Sequence, residues 1–148
     1  MKMFRITLPL LTLLLCVLLC ACSTEQFELS YSAESDTVRT KEAVRITATV
    51  KNVARRAYRY EGAESDFRAD AELFYEASDG KTVRIHHEPA PSTTDTNRHT
   101  VESGRAVSYT YTFVIPDSVP DGTRLSLRLS FLSYSRVCPD VLTVTADD

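Results

Sequence analysis

Val44-Arg45-Ile46-Thr47-Ala48-Thr49-Val50-Lys51 is the stretch of sequence that decides the fold. Its apolar and polar side chains alternate strictly, and three of its four apolar residues are β-branched. A period of two with β-branched enrichment indicates a strand that buries one face and leaves the other in water. We therefore expect a sheet protein in which this strand is central.

The same alternation recurs on both sides of this stretch. Eight further strands are expected, at residues 27–33, 55–60, 67–75, 82–87, 98–101, 107–115, 125–131 and 141–145. Turn signals separate them, among them Asp79-Gly80, whose glycine supplies the positive φ that a primed hairpin turn requires. The pattern predicts an all-β chain that forms an antiparallel, two-sheet, immunoglobulin-like sandwich of about 7–9 strands, with a jelly roll or small barrel as the alternative.

The first 21 residues differ from the rest of the chain. Lys2 and Arg5 precede an almost purely apolar run at residues 6–19, which is typical of a secretory signal peptide. The run is short for a transmembrane helix, which needs about 20 apolar residues. We expect residues 1–21 to be a cleaved signal peptide, 22–26 a short linker and 27–148 the β-sandwich domain.

The apolar run ends in Leu19-Cys20-Ala21-Cys22, and the chain becomes polar directly afterwards. These four residues resemble the lipobox of bacterial lipoproteins. The resemblance implies cleavage after Ala21 and a diacylglyceryl group on the sulfur of Cys22, with fatty acids such as palmitate in the anchor. It also implies a location at the cell membrane or outer membrane, facing outside the cytoplasm. The alternative is that Cys22 is one more cysteine in a run that already contains Cys16 and Cys20.

Charge and cysteine content narrow the functional classes. The whole chain carries a formal net charge of −3, which becomes −5 without Lys2 and Arg5. No basic block of sequence indicates binding to nucleic acid or to anionic lipid. Cys138 is the only cysteine left beyond Cys22, so the domain has no intramolecular disulfide, and we expect Cys138 to be a small buried hydrophobe.

A second resemblance covers residues 44–131. Its motifs are the alternating strand that ends in Lys51-Asn52, then Asp79-Gly80-Lys81, Ser103-Gly104-Arg105 and the aromatic strand at 109–113. They are similar to the Bacillus-type intracellular proteinase inhibitor domain, which implies an immunoglobulin-like sandwich. That family closes its last hairpin with Pro-Gly-x-Tyr, where this chain has Asp121-Gly122-Thr123-Arg124. No inhibitory residue maps onto this chain, so the fold transfers more readily than the activity.

The residues of common catalytic and metal sites are sparse. A zinc or copper site would need His86 or His87 together with His99, completed by Glu88 or Asp95. Adjacent residues of a strand face opposite sides, so surface histidines at a strand end are the simpler interpretation. No nucleophile elbow or phosphate-binding glycine loop occurs. We predict no cofactor, no catalytic residue and no enzymatic activity.

One short expected strand is a candidate binding edge. It contains Arg56, Tyr58, Arg59 and Tyr60, and an exposed edge can accept a partner strand by β-augmentation. The arginines have a second interpretation, protection of the edge against such pairing. We therefore predict a membrane-anchored, non-enzymatic module for protein binding or envelope assembly. A proteinase-inhibitor-like domain and a periplasmic metal-binding domain are the alternatives.

Overall fold

The computed structural model describes residues 25–91 and 96–145, and in these ranges the chain forms ten strands and one 3-10 helix, at Glu64–Asp66. The strands are β1 (Phe27–Ala33), β2 (Thr37–Arg39), β3 (Ala43–Asn52), β4 (Tyr58–Gly62), β5 (Asp70–Glu76), β6 (Thr82–Ile85), β7 (Asn97–Val101), β8 (Ala106–Val114), β9 (Arg124–Phe131) and β10 (Tyr134–Thr145). The predicted signal peptide, Ala21, Cys22 and Asp95 lie outside the described residues. Within those residues, no helix has the length and apolar character needed to cross a membrane.

Two sheets and a ribbon make up the fold. One sheet has the order β1-β3-β8, the other β2-β10-β9-β5-β6, and β4 pairs with β7 in a two-stranded ribbon. Every pairing is antiparallel except that of β2 with β10. The predicted all-β, antiparallel sandwich is confirmed, and the strand that the sequence did not predict is β2.

The core lies between the inner faces of the two larger sheets. Alternate residues of β3 and β9 are buried, as their period of two requires. The predicted inner faces are confirmed at Val44, Ile46, Ala48, Val50, Tyr111, Phe113, Leu125, Leu127 and Leu129, whereas Tyr109 is only half-buried. All described core residues lie between Phe27 and Val144, so a chain that begins after Cys22 retains each of them. Cys138 is buried, as predicted.

The last strand is longer than the sequence indicated. β10 begins at Tyr134 and not at Val141, and its pairing with β9 shifts register between Cys138 and Leu142. A bulge of this kind accommodates Pro139, which has no N–H to donate to a ladder, and Asp140 takes a φ of 51° there. The interruption removed the alternation on which the prediction depended.

Other boundaries move because local contacts override the pattern. β4 begins at Tyr58 and not at Arg55, and β5 begins at Asp70 and not at Phe67, which caps the 3-10 helix. The hairpin between β5 and β6 is confirmed, but only Gly80 of its turn has a positive φ, of 78°. The turn is therefore not of the type I′ that Asp-Gly favours.

Candidate functional site

The β4–β7 ribbon is fastened to the core by aromatic rings. Its inner face carries Tyr58, Tyr60 and His99, with Tyr60 directly opposite His99 in the register. The Tyr58 ring meets Phe27 edge to face, with centroids 5.0 Å apart. Tyr60 stacks on Phe67 at 5.7 Å. Large apolar contacts of this kind attach the ribbon to the core.

The outer face of the ribbon is polar. Arg59 and Thr100 are exposed there, and Arg98 Nε donates to Glu61 Oε1 across the two strands at 2.6 Å. The predicted binding residues are therefore divided between two environments. Arg56 and Arg59 are exposed, whereas Tyr58 and Tyr60 are half-buried and packed against the core. The exposed side chains of β4 itself are Arg59 and Glu61, and Tyr60 also lines a cleft beside the ribbon.

The ribbon has unpaired strand edges. In the described ranges, β4 forms a ladder only with β7, and β7 only with β4. The edge of β4 that faces away from β7 therefore presents backbone N–H and C=O groups without a described partner strand. An edge with these groups free is a template for a further strand.

A cleft of about 480 Å³ adjoins the ribbon and is lined by residues 59–61 and 98–100. His99 stacks on Tyr60 with centroids 5.1 Å apart and rings inclined by 20°. Its Nε2 atom is shielded from solvent and makes no hydrogen bond to any described residue. Burial, followed by the charge of Glu64, raises the pKa of Tyr60. A buried ring nitrogen without a hydrogen-bond partner among the described residues lowers the stability of the fold at this position.

A second cleft, of about 400 Å³, brings opposite charges together between β5 and β8. His87 Nε2 lies 3.7 Å from Asp70 Oδ1, and its ring lies against Tyr111 with centroids 4.6 Å apart. Arg68 stands over the ring of Tyr109 at 4.8 Å. Burial and then the charge of Asp70 raise the pKa of Tyr111 to about 12. The sequence did not indicate this cleft, because its residues are distant along the chain and show no motif.

The three histidines occupy separate environments. His86 is exposed after the end of β6, His87 lies beside Asp70, and His99 stacks on Tyr60. In the part of the chain that the structure describes, no three His, Cys, Asp or Glu side chains are close enough to hold a metal ion. The arrangement that a zinc or copper site would need from these histidines is not assembled there.

Comparison with known proteins gives a fold and no family. No protein-family model matches the chain, and no curated protein matches it. Among solved structures, the chain is similar to the sporulation control protein Spo0M from Bacillus subtilis, with 19% identity, a TM-score of 0.52 and coverage of 82% of this chain and 50% of that one. It thus spans half the length of Spo0M. A β-glucosidase from Listeria innocua is similar over 80% of this chain and 16% of its own, with 14% identity and a TM-score of 0.46. At these identities the first likeness shows the fold alone.

Proposed function

We propose that this protein is a lipid-anchored, extracytoplasmic and non-enzymatic module that binds a protein partner by adding the partner's strand to β4. The observation that carries the proposal is the β4–β7 ribbon, whose outer edges pair with no described strand. Backbone hydrogen bonds along such an edge supply affinity for an extended segment.

The ribbon has further properties of a binding element. Its inner face is held by the contacts of Tyr58 with Phe27 and of Tyr60 with Phe67, so little order has to be gained on binding. Arg59 projects from the outer face of the ribbon, and Arg56 lies two residues before the start of β4. Because both side chains are cationic and exposed, the partner segment is expected to be acidic.

The anchor completes the proposal. The lipobox resemblance assigns the lipid to Cys22, and the described chain begins three residues later, at Glu25, directly before β1. Labelled palmitate supplied to cells should enter the wild-type protein but not a Cys22→Ala variant. Equal labelling of the two proteins would refute the anchor.

The binding edge is tested in intact cells with a photo-crosslinking residue placed at Arg59. Val137 is the matched control site, because it is an exposed residue of β10, outside the ribbon. We expect a discrete adduct from position 59, none from position 137, and a several-fold weaker adduct when Arg56→Glu is added. Absence of an adduct at position 59, or equal adducts at both positions, would contradict the proposed edge.

A further inference from the structure

We propose that one end of the sandwich docks on the anionic surface of the bilayer that carries the lipid anchor. This surface, the anchor end, consists of the first described residues, the end of β3 with the loop after it, the loop between β7 and β8, and the tip of the β9–β10 hairpin. The proposal rests on the lipid anchor at Cys22 described above.

Hydrogen bonds bring these segments together around Gln26. Its carbonyl oxygen accepts a 2.9 Å bond from the N–H of Val53, and its own N–H donates to the hydroxyl of Tyr134 at 3.2 Å. Tyr134 pairs with Phe131 to close the β9–β10 hairpin, and both rings pack on Phe27. The hairpin tip therefore lies at the end where the chain enters the domain.

The loop between β7 and β8 joins the same end through Asn52. The N–H of Asn52 donates to the carbonyl oxygen of Arg105 at 2.9 Å, and the N–H of Gly104 donates to the carbonyl oxygen of Asn52 at 2.7 Å. The side-chain amide of Asn52 donates to the carbonyl oxygen of Arg56 at 3.0 Å. Residues separated by about 50 positions in the sequence thus share one surface.

The surface is rich in cations that make no ion pair with any described residue. Lys51, Arg55, Arg56 and Arg105 are exposed, and none makes an ion pair with a described residue. The seven lysines and arginines that do make such pairs with carboxylates are Lys41, Arg45, Lys81, Arg84, Arg98, Arg124 and Arg128, and none of them belongs to the anchor end.

The local charge opposes that of the whole chain. Arg136, which donates to the carbonyl oxygen of Leu29, adds a fifth cation, and the acidic residues at this end are Glu25, Glu28 and Glu102. Five cations against three carboxylates give a local charge of +2, in a chain whose net charge is −3. Lys51, Arg55 and Arg56 are already close together in the sequence, and the fold adds Arg105 and Arg136 to them.

Exposed apolar side chains accompany the charges. Leu132 is 66% exposed at the hairpin tip, and Val53 is 41% exposed beside Gln26. Leu132 also has a φ of 51°, a conformation that glycine adopts far more readily than leucine. Cationic side chains around protruding apolar ones suit an interface of anionic headgroups and acyl chains.

The anchor keeps this surface near the bilayer. Glu25 lies three positions after Cys22, and extended chain spans at most about 3.6 Å per residue, so the reach is roughly 11 Å. The Debye length at physiological ionic strength is about 8 Å, so attraction to anionic headgroups persists over most of that distance. The short linker therefore holds the cations of the anchor end within reach of the anionic headgroups.

The test uses tryptophan as a reporter, since the chain contains none. A chain beginning at Ser23 retains every described core residue, and a histidine tag in place of Cys22 tethers it to vesicles containing a nickel-chelating lipid. The tryptophan of Leu132→Trp reports whether the hairpin tip enters the bilayer. Val114→Trp is the control, because Val114 is 45% exposed and pairs with Ala43, at the opposite end of β3 from Asn52.

On vesicles with about one-third phosphatidylglycerol, we expect blue-shifted emission from position 132 and quenching by brominated lipid, both reversed by salt. Neutral vesicles should give neither effect, and position 114 should give neither on either vesicle. An unchanged spectrum at position 132, or equal effects at both positions or on both vesicles, would overturn the docking.

A second measurement leaves Leu132 intact. The affinity of the untethered chain for anionic vesicles, measured by sedimentation at low salt, should be at least tenfold lower in the double variant Lys51→Glu/Arg105→Glu. Arg39→Glu/Arg124→Glu changes the net charge equally away from the anchor end and should weaken it far less. Equal losses in the two variants, or no loss in the first, would refute the docking. Neither vesicle experiment uses the acyl anchor, so both can fail independently of palmitate labelling at Cys22.

Discussion

The side-chain amide of Asn52, at the end of β3, donates a 2.9 Å hydrogen bond to the carbonyl oxygen of Val101, at the end of β7. The same amide group donates to the carbonyl oxygen of Arg56, and Asn52 Oδ1 accepts from the N–H of Ala54 at 3.2 Å. Asn52 is completely buried and is the one buried polar residue in the described part of the chain. It therefore joins the sandwich to both surfaces proposed for binding, the β4–β7 ribbon and the anchor end.

Replacing Asn52 with alanine should lower the free energy of unfolding by about 2–3 kcal/mol, because several buried backbone groups lose their partners together. Urea denaturation measures the change. Thr49→Ala is the control, since its hydroxyl bonds to Ser108 at the surface, and it should lower the stability by less than about 1 kcal/mol. A loss at Asn52 no larger than the loss at Thr49 would contradict the assigned role.

The hydroxyl of Tyr111 predicts a pH dependence of stability. It donates to the carbonyl oxygen of Ala69 at 2.9 Å, and its pKa is raised to about 12, against an ordinary value of about 10 in the unfolded chain. Between these values the unfolded state releases its proton while the folded state retains it. This contribution to stability is therefore complete below pH 10 and is lost as the pH rises towards 12.

Tyr111→Phe should reduce that dependence, leaving the part that the raised pKa of Tyr60 contributes, and lower the stability at pH 7 by about 1–2 kcal/mol, because the carbonyl of Ala69 loses its donor. Denaturation at a series of pH values from 8 to about 11 measures both effects. Tyr31→Phe, at an exposed position, is the control and should behave like the wild type. If Tyr111→Phe keeps the wild-type decline above pH 10, another group causes it.

The sequence predicts those parts of the fold in which side-chain alternation runs without interruption. Residues 44–51 lie within β3, and the predicted strand at 27–33 coincides with β1. Alternation reports which residues face a core, and it fails where the backbone departs from a regular strand. Pro139 interrupts β10 with a bulge, and β2 has only three residues, too few to show a period.

The candidate surfaces were less predictable because they depend on tertiary contacts. The sequence indicated the β4 region, but not that Tyr58 and Tyr60 would pack inwards, which follows from their contacts with Phe27 and Phe67. Three cations of the anchor end lie within residues 51–56, but the sequence does not show that Arg105, Arg136 and Leu132 join them at the same surface. Asn52 ends the alternating strand, and its buried hydrogen bonds show why a polar residue occupies the end of an apolar face.

The packing of the two sheets predicts a large effect at Leu127, which is fully buried in the middle of β9. Leu127→Ala should lower the free energy of unfolding by about 2–5 kcal/mol, through lost apolar burial and the cavity left behind. Val137→Ala, on the exposed side of β10, should change it by less than about 0.5 kcal/mol. Thermal or urea unfolding compares the two, and similar values would contradict the position of the core.

Leu132 should be a residue that lowers the stability of the fold. It is the first of two residues between Phe131 and Tyr134, and its positive φ costs a leucine about 1–2 kcal/mol, of which a glycine recovers a part. Leu132→Gly should therefore raise the free energy of unfolding by about 0.5–1 kcal/mol in solution. The same variant should bind anionic vesicles less well, because it lacks the apolar side chain.

Val137→Gly is the matched control for that variant. Val137 is also an exposed apolar residue, but it lies within β10 and has no positive φ, so glycine there should lower the stability by about 0.5–1 kcal/mol. Urea denaturation measures the direction in which each variant changes the free energy of unfolding, and vesicle sedimentation measures its binding to the bilayer. A Leu132→Gly variant that is destabilised, or that binds anionic vesicles as well as the wild type, would show that the hairpin tip is not shaped for the bilayer. Opposite changes in stability and binding would indicate that leucine is retained there for membrane contact at the expense of the fold.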